Sequence, residues 1–227
     1  KGLSYMGEES TKLKHKNILF IHLPKTGGTL INEYCRYTGA MQYYLNGGHA
    51  HCPVTSVTNP EKYFKFGLVR NPWDFYVSRY FYYIKKDLPE RGLSNRLDAG
   101  LHGKGFEQEF PTLKDHIKYG IELGEDRFWF SNLYKEMFCD DEDNVLMDYI
   151  GKQENLLSEV EYVLDLNNVK TEVSIRDFDE LTKEQFPQAR NATTHEHYAT
   201  YYDDELIDLI AEGDKYIIEK HGYKFGG

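Results

Sequence analysis

The stretch that decides the fold is NILFIHLPKTGGTLINEYCRY, residues 17–37. It opens with a short apolar run, residues 17–23, which follows a charged segment and has the composition of a buried parallel strand. The loop PKTGGT, residues 24–29, comes next, and residues 30–37 continue as a helix-compatible segment that Gly39 closes. The succession of strand, glycine loop and helix predicts an α/β unit with its loop at the carboxyl end of a strand.

A second unit with the same succession begins at residues 63–69, YFKFGLV, which have the composition of another buried strand. Asn71 and Pro72 follow this strand. Asparagine is a favoured N-cap and proline a favoured first helical residue, so a helix is predicted over residues 73–86. We further predict one strand at residues 145–150, helices at residues 112–123, 128–138, 155–166 and 203–220, and irregular segments at residues 40–60, 87–111 and 167–197.

Strands that alternate with helices predict a single α/β domain over residues 1–227. We expect three layers, with a mainly parallel central sheet flanked by helices, in an arrangement similar to P-loop folds. Residues 1–16 are polar and are expected to form a flexible or peripheral segment.

The composition of the chain limits the partners that it can have. The 227 residues include 27 Lys and Arg against 37 Asp and Glu, a formal net charge of −10. Proteins that bind nucleic acid or an anionic membrane present a basic face, so neither partner is expected, although a locally basic pocket could hold a small anion.

No apolar run approaches the roughly 20 residues of a membrane span. Three widely spaced cysteines, Cys35, Cys52 and Cys139, fit reduced thiols. We therefore expect a cytoplasmic protein, or one from which a leader or membrane anchor was removed.

The loop at residues 24–29 has the composition of an anion-binding site. Its glycines let the backbone aim successive N–H groups at a ligand, the following helix N-terminus carries partial positive charge, and Lys25 adds a full charge. Thr26 and Thr29 add hydroxyl donors. In a Walker A motif the lysine follows the last glycine, and the different order here disfavours hydrolysis of ATP or GTP. The alternative is an ordinary Gly-Gly turn with an exposed lysine.

Arg70 and Ser78 form a second candidate pair for an anion. Arg70 directly follows a predicted strand, at the edge where α/β sheets bind ligands, and its guanidinium can hold a phosphate through two parallel hydrogen bonds. Ser78 comes a little over two helical turns later and returns to the face near the helix start. The alternative is that Arg70 pairs with a carboxylate such as Asp74.

Together, PKTGGT and RNPWDFYVSRY, residues 70–80, resemble the 5′-phosphosulfate loop and the 3′-phosphate motif of sulfotransferases that use 3′-phosphoadenosine 5′-phosphosulfate (PAPS). The closer resemblance is to the carbohydrate O-sulfotransferase branch, which includes heparan sulfate 2-O-sulfotransferase, because the Trp-bearing first motif of the cytosolic phenol and steroid enzymes is missing. The resemblance extends weakly to residues 150–156 and to Tyr201-Tyr202.

The resemblance implies a donor site and no metal ion. The residues that would hold the 5′-phosphosulfate are Lys25, Thr26, Gly27, Gly28 and Thr29, and those that would hold the 3′-phosphate are Arg70 and Ser78. Arg190 would lie in a loop that closes over the nucleotide, with an ordinary exposed arginine as the alternative.

The resemblance also implies a general base. In the 2-O-sulfotransferase branch a His-x-His pair precedes the 3′-phosphate strand and its second histidine acts as base, which assigns His51 as the base and His49 as its support on the acceptor side. An imidazole suits this role because its pKa lies near neutral pH. The alternatives are two surface histidines or a metal site with Cys52, whose spacing does not match the usual zinc ligands. His195 and His197 form a second pair, which could line the acceptor site or be solvated.

The reaction implied is transfer of a sulfuryl group from PAPS to an acceptor hydroxyl by in-line displacement, which releases adenosine 3′,5′-bisphosphate. Lys25 would offset the charge on the leaving oxygen. A nucleotide-binding module without catalysis and an ATP-dependent small-molecule kinase are the alternatives. The net charge of −10 favours a glycan or a small hydroxylated metabolite over a polyanionic acceptor. A local basic rim could still form from Lys85, Lys86, Arg91 and Arg96.

Overall fold

The computed structural model describes residues 17–44, 51–85, 109–122, 124, 128–185 and 195–227. These residues contain one sheet of four parallel strands: β1 (Asn17–Phe20), β2 (Gln42–Tyr43), β3 (Tyr63–Val69) and β4 (Tyr149–Lys152). The strand order is β2-β1-β3-β4, so β1 and β3 occupy the centre. Phe20 pairs with Phe66 and Val69 with Lys152, which brings the carboxyl ends of β1, β3 and β4 to one edge of the sheet.

Eight α-helices lie within the described part of the chain. Their bounds are α1 (Gly28–Thr38), α2 (Pro72–Lys85), α3 (Leu113–Glu122), α4 (Phe130–Phe138), α5 (Leu156–Leu166), α6 (Ile175–Gln185), α7 (Asp204–Gly213) and α8 (Lys215–His221). The first five were predicted to within two residues at each end, and Asn71 caps α2 through its side-chain oxygen as expected. The predicted peripheral segment, residues 1–16, lies outside the described residues.

Side chains alternate along the strands and enter two separate cores. Leu19 and Val69 face one core, which is covered by α2, α3, α4, α7 and α8. Ile18, Phe20 and Phe66 face the other core, which is covered by α1, α5 and α6. Helices therefore lie on both faces of a parallel sheet, which confirms the predicted α/β fold and its three layers.

The third predicted strand, residues 145–150, overlaps the observed strand β4 only at its last two residues. Val145 forms an antiparallel bridge with Cys139, so this apolar segment folds back on the end of α4. β4 begins only at Tyr149. Apolar composition indicates that a segment is buried, but it does not specify the strand or helix with which that segment pairs.

Helix α6 lies within residues 167–197, which were predicted to be irregular. Its sequence, IRDFDELTKEQ, is polar on average, and its buried residues are only Ile175, Phe178 and Asp179, so its composition does not indicate a buried element. A clearer signal is the capping box at its start. The Ser174 Oγ accepts a hydrogen bond from the Asp177 N–H at 3.1 Å and donates one to the Asp177 carboxylate at 2.7 Å.

The predicted closing helix, residues 203–220, is divided into α7 and α8 at Asp214. This side chain is fully buried, with Oδ1 accepting from the Ser131 N–H at 2.6 Å and Oδ2 from the Tyr76 hydroxyl at 2.7 Å. Burial raises the pKa of Asp214 to about 6, even though both hydrogen bonds lower it. Asp214 thus ties the two closing helices to α2 and α4.

Replacing Asp214 by asparagine should change how stability depends on pH. The pKa of this carboxyl rises from 3.8 to about 6 on folding, so the unfolded chain releases its proton first and the folded state loses stability as the pH rises between these values. We expect the unfolding free energy of the wild type, relative to Asp214→Asn, to fall by about 2–3 kcal/mol between about pH 4 and about pH 7. Denaturant titrations measure this difference, with Asp208→Asn on an exposed position of α7 as control. A difference that stays constant with pH would contradict the prediction.

Candidate functional site

Three segments that follow parallel strands meet at the carboxyl edge of the sheet. The loop at residues 24–29 follows β1, Arg70 follows β3, and the short helical turn Gln153–Asn155 follows β4. The Asn71 N–H donates to the Glu154 carboxylate at 2.6 Å, which ties the last two segments together. Open α/β sheets bind their ligands at this edge.

The loop turns through two residues with left-handed backbone, Lys25 at φ 64° and Gly27 at φ 80°. Gly27 precedes α1, whose first turn contains no acidic residue. A side chain at Gly27 would also collide with Leu156 at the start of α5. The turn therefore approaches a neighbouring helix closely while its own helix N-terminus keeps the partial positive charge that favours an anion.

The hydroxyl of Thr26 holds the loop in shape. Thr26 is fully buried, and its Oγ1 donates to the Leu23 carbonyl at 2.7 Å. Thr29 lies in the first turn of α1 and is half-buried. In this arrangement Thr26 would reach a ligand through its backbone N–H, because its hydroxyl closes the turn.

Arg70 joins the two predicted motifs. Its Nε and Nη2 donate to the Asp74 carboxylate at 2.8 and 2.7 Å, so the ion pair that the sequence left open as an alternative is present. Its Nη1 donates to the Lys25 carbonyl at 3.0 Å. One guanidinium therefore contacts both the glycine loop and the first turn of α2.

Helix α2 presents Asp74, Ser78 and Tyr82 on one face because these residues are four positions apart. Ser78 is only 4% exposed and lies one turn beyond the carboxylate that Arg70 contacts. One turn further along, the Lys25 ammonium lies over the ring of Tyr82, with Nζ 4.0 Å from the ring centroid. Nothing in the sequence distinguishes Tyr82 from the neighbouring tyrosines, because this contact depends on tertiary packing.

His22 lies between the loop and His51, and no sequence signal pointed to it because it lies within an apolar run. Its ring stacks on Phe20 with centroids 5.8 Å apart, and the His51 ring meets it edge-on at 4.6 Å. Burial lowers the pKa of His22 to about 3, assisted by the nearby charges of His51 and Lys25, so this imidazole is neutral at pH 7. His51 itself is exposed. The structure thus places His51 beside the loop that carries Lys25.

Two predicted site residues, His49 and Arg190, lie outside the described residues, as do Lys86, Arg91 and Arg96 of the predicted basic rim. In the part of the chain that is described, no group of three or more His, Cys, Asp or Glu side chains is arranged to hold a metal ion.

The second histidine pair makes local contacts. His195 stacks on Phe81 of α2 with ring centroids 5.4 Å apart. His197 precedes the short helical turn Tyr198–Tyr201 and accepts a hydrogen bond from the Ala199 N–H at 3.4 Å. A lining role for these histidines stays a prediction.

Fold and site define an α/β protein with two cationic motifs, joined by Arg70, at the ends of adjacent parallel strands. The model of the sulfotransferase family matches residues 11–213, most of the chain. The protein therefore belongs to the sulfotransferase family, which confirms the resemblance at that level, while the carbohydrate branch stays a prediction. A search of curated proteins gives no match. None of the helices within the described residues has the length and apolar character needed to cross a membrane.

The contact between His22 and Gly28 can be tested by substitution, because a side chain at Gly28 would overlap Cδ2 and Nε2 of the imidazole. We expect Gly28→Ala to lower the unfolding free energy by about 1–3 kcal/mol, the usual cost of overpacking. In a His22→Ala background the same change should cost less than about 1 kcal/mol, since the ring is gone. Denaturant titrations of the four proteins measure the coupling. Equal losses in both backgrounds would show that the two residues do not compete for this space.

Proposed function

We propose that the protein transfers the sulfuryl group of PAPS to the hydroxyl of an acceptor in a single in-line displacement. The observation that carries the proposal is the 3.0 Å hydrogen bond from the Arg70 guanidinium to the Lys25 carbonyl. It joins the motif that resembles a 5′-phosphosulfate loop to the motif that resembles a 3′-phosphate site. A nucleotide with anionic groups on both its 5′ and 3′ sides needs two such adjacent cationic positions. Membership of the sulfotransferase family supports this type of reaction.

In this proposal the 5′ side of the donor binds the loop, where the N–H groups of residues 26–29 face the anion and Lys25 supplies a full charge. Arg70 and Ser78 bind the 3′-phosphate. The guanidinium carries further N–H groups beyond the three that contact Asp74 and the Lys25 carbonyl. The ion pair with Asp74 then orients the guanidinium for the phosphate.

Lys25 has the main electrostatic role in the transfer. The bond from sulfur to the bridging oxygen breaks while the acceptor oxygen forms its bond to sulfur, and the bridging oxygen leaves with adenosine 3′,5′-bisphosphate. Negative charge accumulates on that oxygen, so an ammonium beside it stabilises the transition state more than the bound donor. Because the cations of the protein neutralise the leaving nucleotide, we expect no metal ion to take part.

We assign the proton transfer to His51, with His49 as support on the acceptor side and Arg190 over the nucleotide. The assignment is supported by the contact of His51 with His22, which in turn packs against Gly28 of the loop. An imidazole ordinarily has a pKa near 6.5 and accepts a proton at neutral pH. His22 is a weaker base, since its pKa is about 3.

For the acceptor we propose a glycan or a small hydroxylated metabolite, in keeping with the resemblance to the carbohydrate O-sulfotransferases. A polyanionic acceptor is less suited to a chain with a net charge of −10. Parallel assays with labelled PAPS and neutral oligosaccharides, heparin-like oligosaccharides and small hydroxylated compounds would identify the class. Sulfation of only the heparin-like compounds would contradict this choice.

Nucleotide binding should distinguish the proposal from a kinase. At about 100 times its Kd, adenosine 3′,5′-bisphosphate should raise the melting temperature by about 5–10 °C, because a ligand that binds only the folded state stabilises it by about 2.7 kcal/mol. Adenosine 5′-monophosphate, which lacks the 3′-phosphate, is the matched control and should give a smaller shift at the same concentration. Differential scanning fluorimetry measures both shifts. A larger shift with ATP and Mg²⁺ would overturn the proposal.

Substitution of either proposed catalytic residue should slow the transfer, and His51→Ala should still bind the nucleotide. In single-turnover assays with labelled PAPS, we expect Lys25→Met to lower the rate constant of sulfuryl transfer about 10²–10³-fold, and His51→Ala to lower it about 10²-fold or more. His51→Ala should keep the melting shift caused by adenosine 3′,5′-bisphosphate, since it does not contact the donor. Lys62→Met, on an exposed turn far from the loop in sequence, is the control for loss of charge. Full turnover by His51→Ala would assign the base elsewhere, and full turnover by both variants would contradict the mechanism.

A further inference from the structure

The side chain of Lys25 is held at both of its ends. Its backbone has φ 64°, which directs the side chain away from the path that an extended strand would give it. Its carbonyl accepts the hydrogen bond from Arg70 at 3.0 Å. Its ammonium lies over the ring of Tyr82, with Nζ 4.0 Å from the centroid. A flexible four-carbon chain is therefore fixed at its base by the loop and at its tip by α2.

The ring of Tyr82 is itself held in place by α2. Tyr82 is half-buried and packs against the core that covers one face of the sheet. Two turns earlier on the same helix face, Asp74 holds the guanidinium of Arg70. A single helix thus determines the positions of both cations at this edge.

An aromatic face suits this task better than a carboxylate. A carboxylate partner would neutralise the ammonium and compete with the donor, as an ion pair does. The ring attracts the ammonium through its quadrupole and leaves the formal charge intact.

We propose that Tyr82 is a positioning residue, whose ring face holds the ammonium of Lys25 in the place where charge develops on the leaving oxygen. The inference rests on the proposed function, because it takes the leaving-group role of Lys25 from there. A lysine side chain loses rotamer entropy when it is fixed, and the ring removes part of that cost before the donor binds. Tyr82 contributes through the placement of Lys25 and makes no bond to the reacting atoms.

The first test compares Tyr82→Leu with Tyr82→Phe. Leucine keeps apolar volume but lacks the ring face, so kcat should fall about 3–30-fold while the KM for PAPS changes less than about threefold. Phenylalanine keeps the ring face and should restore most of the kcat. Tyr37→Leu, at the end of α1 away from the loop, is the matched control. A kcat for Tyr82→Leu equal to that of the wild type would overturn the proposal.

A double-mutant cycle tests whether the effect passes through Lys25. In a Lys25→Met background there is no ammonium to hold, so Tyr82→Leu should cause no further loss of kcat. A further loss as large as that in the wild-type background would assign Tyr82 a role independent of Lys25 and overturn the inference.

An isosteric series covers the case in which Tyr82→Leu does not fold. Phenylalanine and 3,4,5-trifluorophenylalanine at position 82 have nearly the same shape, but fluorination weakens the ring quadrupole. The fluorinated protein should show the lower kcat, and equal kcat values would overturn the proposal. A wild-type protein that does not use PAPS would overturn the proposed function itself. A Lys25→Met variant with full turnover would overturn the leaving-group role of Lys25, and with it the positioning role of Tyr82. Loss of turnover in Lys25→Met with no effect of any Tyr82 change would overturn the positioning role alone.

Discussion

The hydrogen bond from Arg70 to the Lys25 carbonyl is the contact on which the rest of the site depends. It brings together two residues 45 positions apart in the chain, at the ends of adjacent parallel strands. The carboxylate of Asp74 balances the charge of the guanidinium, whose side chain is only 13% exposed. The ion pair between Arg70 and Asp74, which the sequence left open as the alternative to ligand binding, therefore also helps to hold Arg70 beside the loop that carries Lys25.

Around this contact, a helix and a tight loop each supply part of the site. Helix α2 supplies Asp74, Ser78 and Tyr82 from a single face, so their spacing is set by the helix repeat. The loop supplies Lys25 from a left-handed turn that the buried hydroxyl of Thr26 stabilises. The cationic groups are therefore preorganised. Preorganised charge is the main means by which a protein lowers the barrier to a reaction that develops charge.

Sequence alone predicted the parts of the fold that local signals specify. β3 was predicted at its observed bounds, because an apolar run ends at Arg70 and is followed at once by a cap and a proline. The glycine loop was recognised because Lys25, Thr26 and two glycines directly follow another apolar run. Helix α6 was missed although Ser174 and Asp177 form a capping box, since its apolar stripe is narrow.

The contacts that give the site its geometry could not be predicted in this way. The break at Asp214 results from a carboxylate that binds groups on two other helices. The ring under Lys25 belongs to one of 19 tyrosines, and only the packing of α2 against the loop selects it. Such pairings join residues far apart in the chain, so no periodicity or spacing within a segment records them.

The imidazole of His22 fills the space that a side chain at position 28 would need, and its other side meets His51. One side chain therefore separates the glycine loop from His51. Positions 22 and 28 cannot vary independently during evolution: a chain of this fold that gains a larger residue at 28 must accept a smaller one at 22, and with it a different wall behind the histidine. Changes in the loop and changes in the surroundings of His51 would then be inherited together.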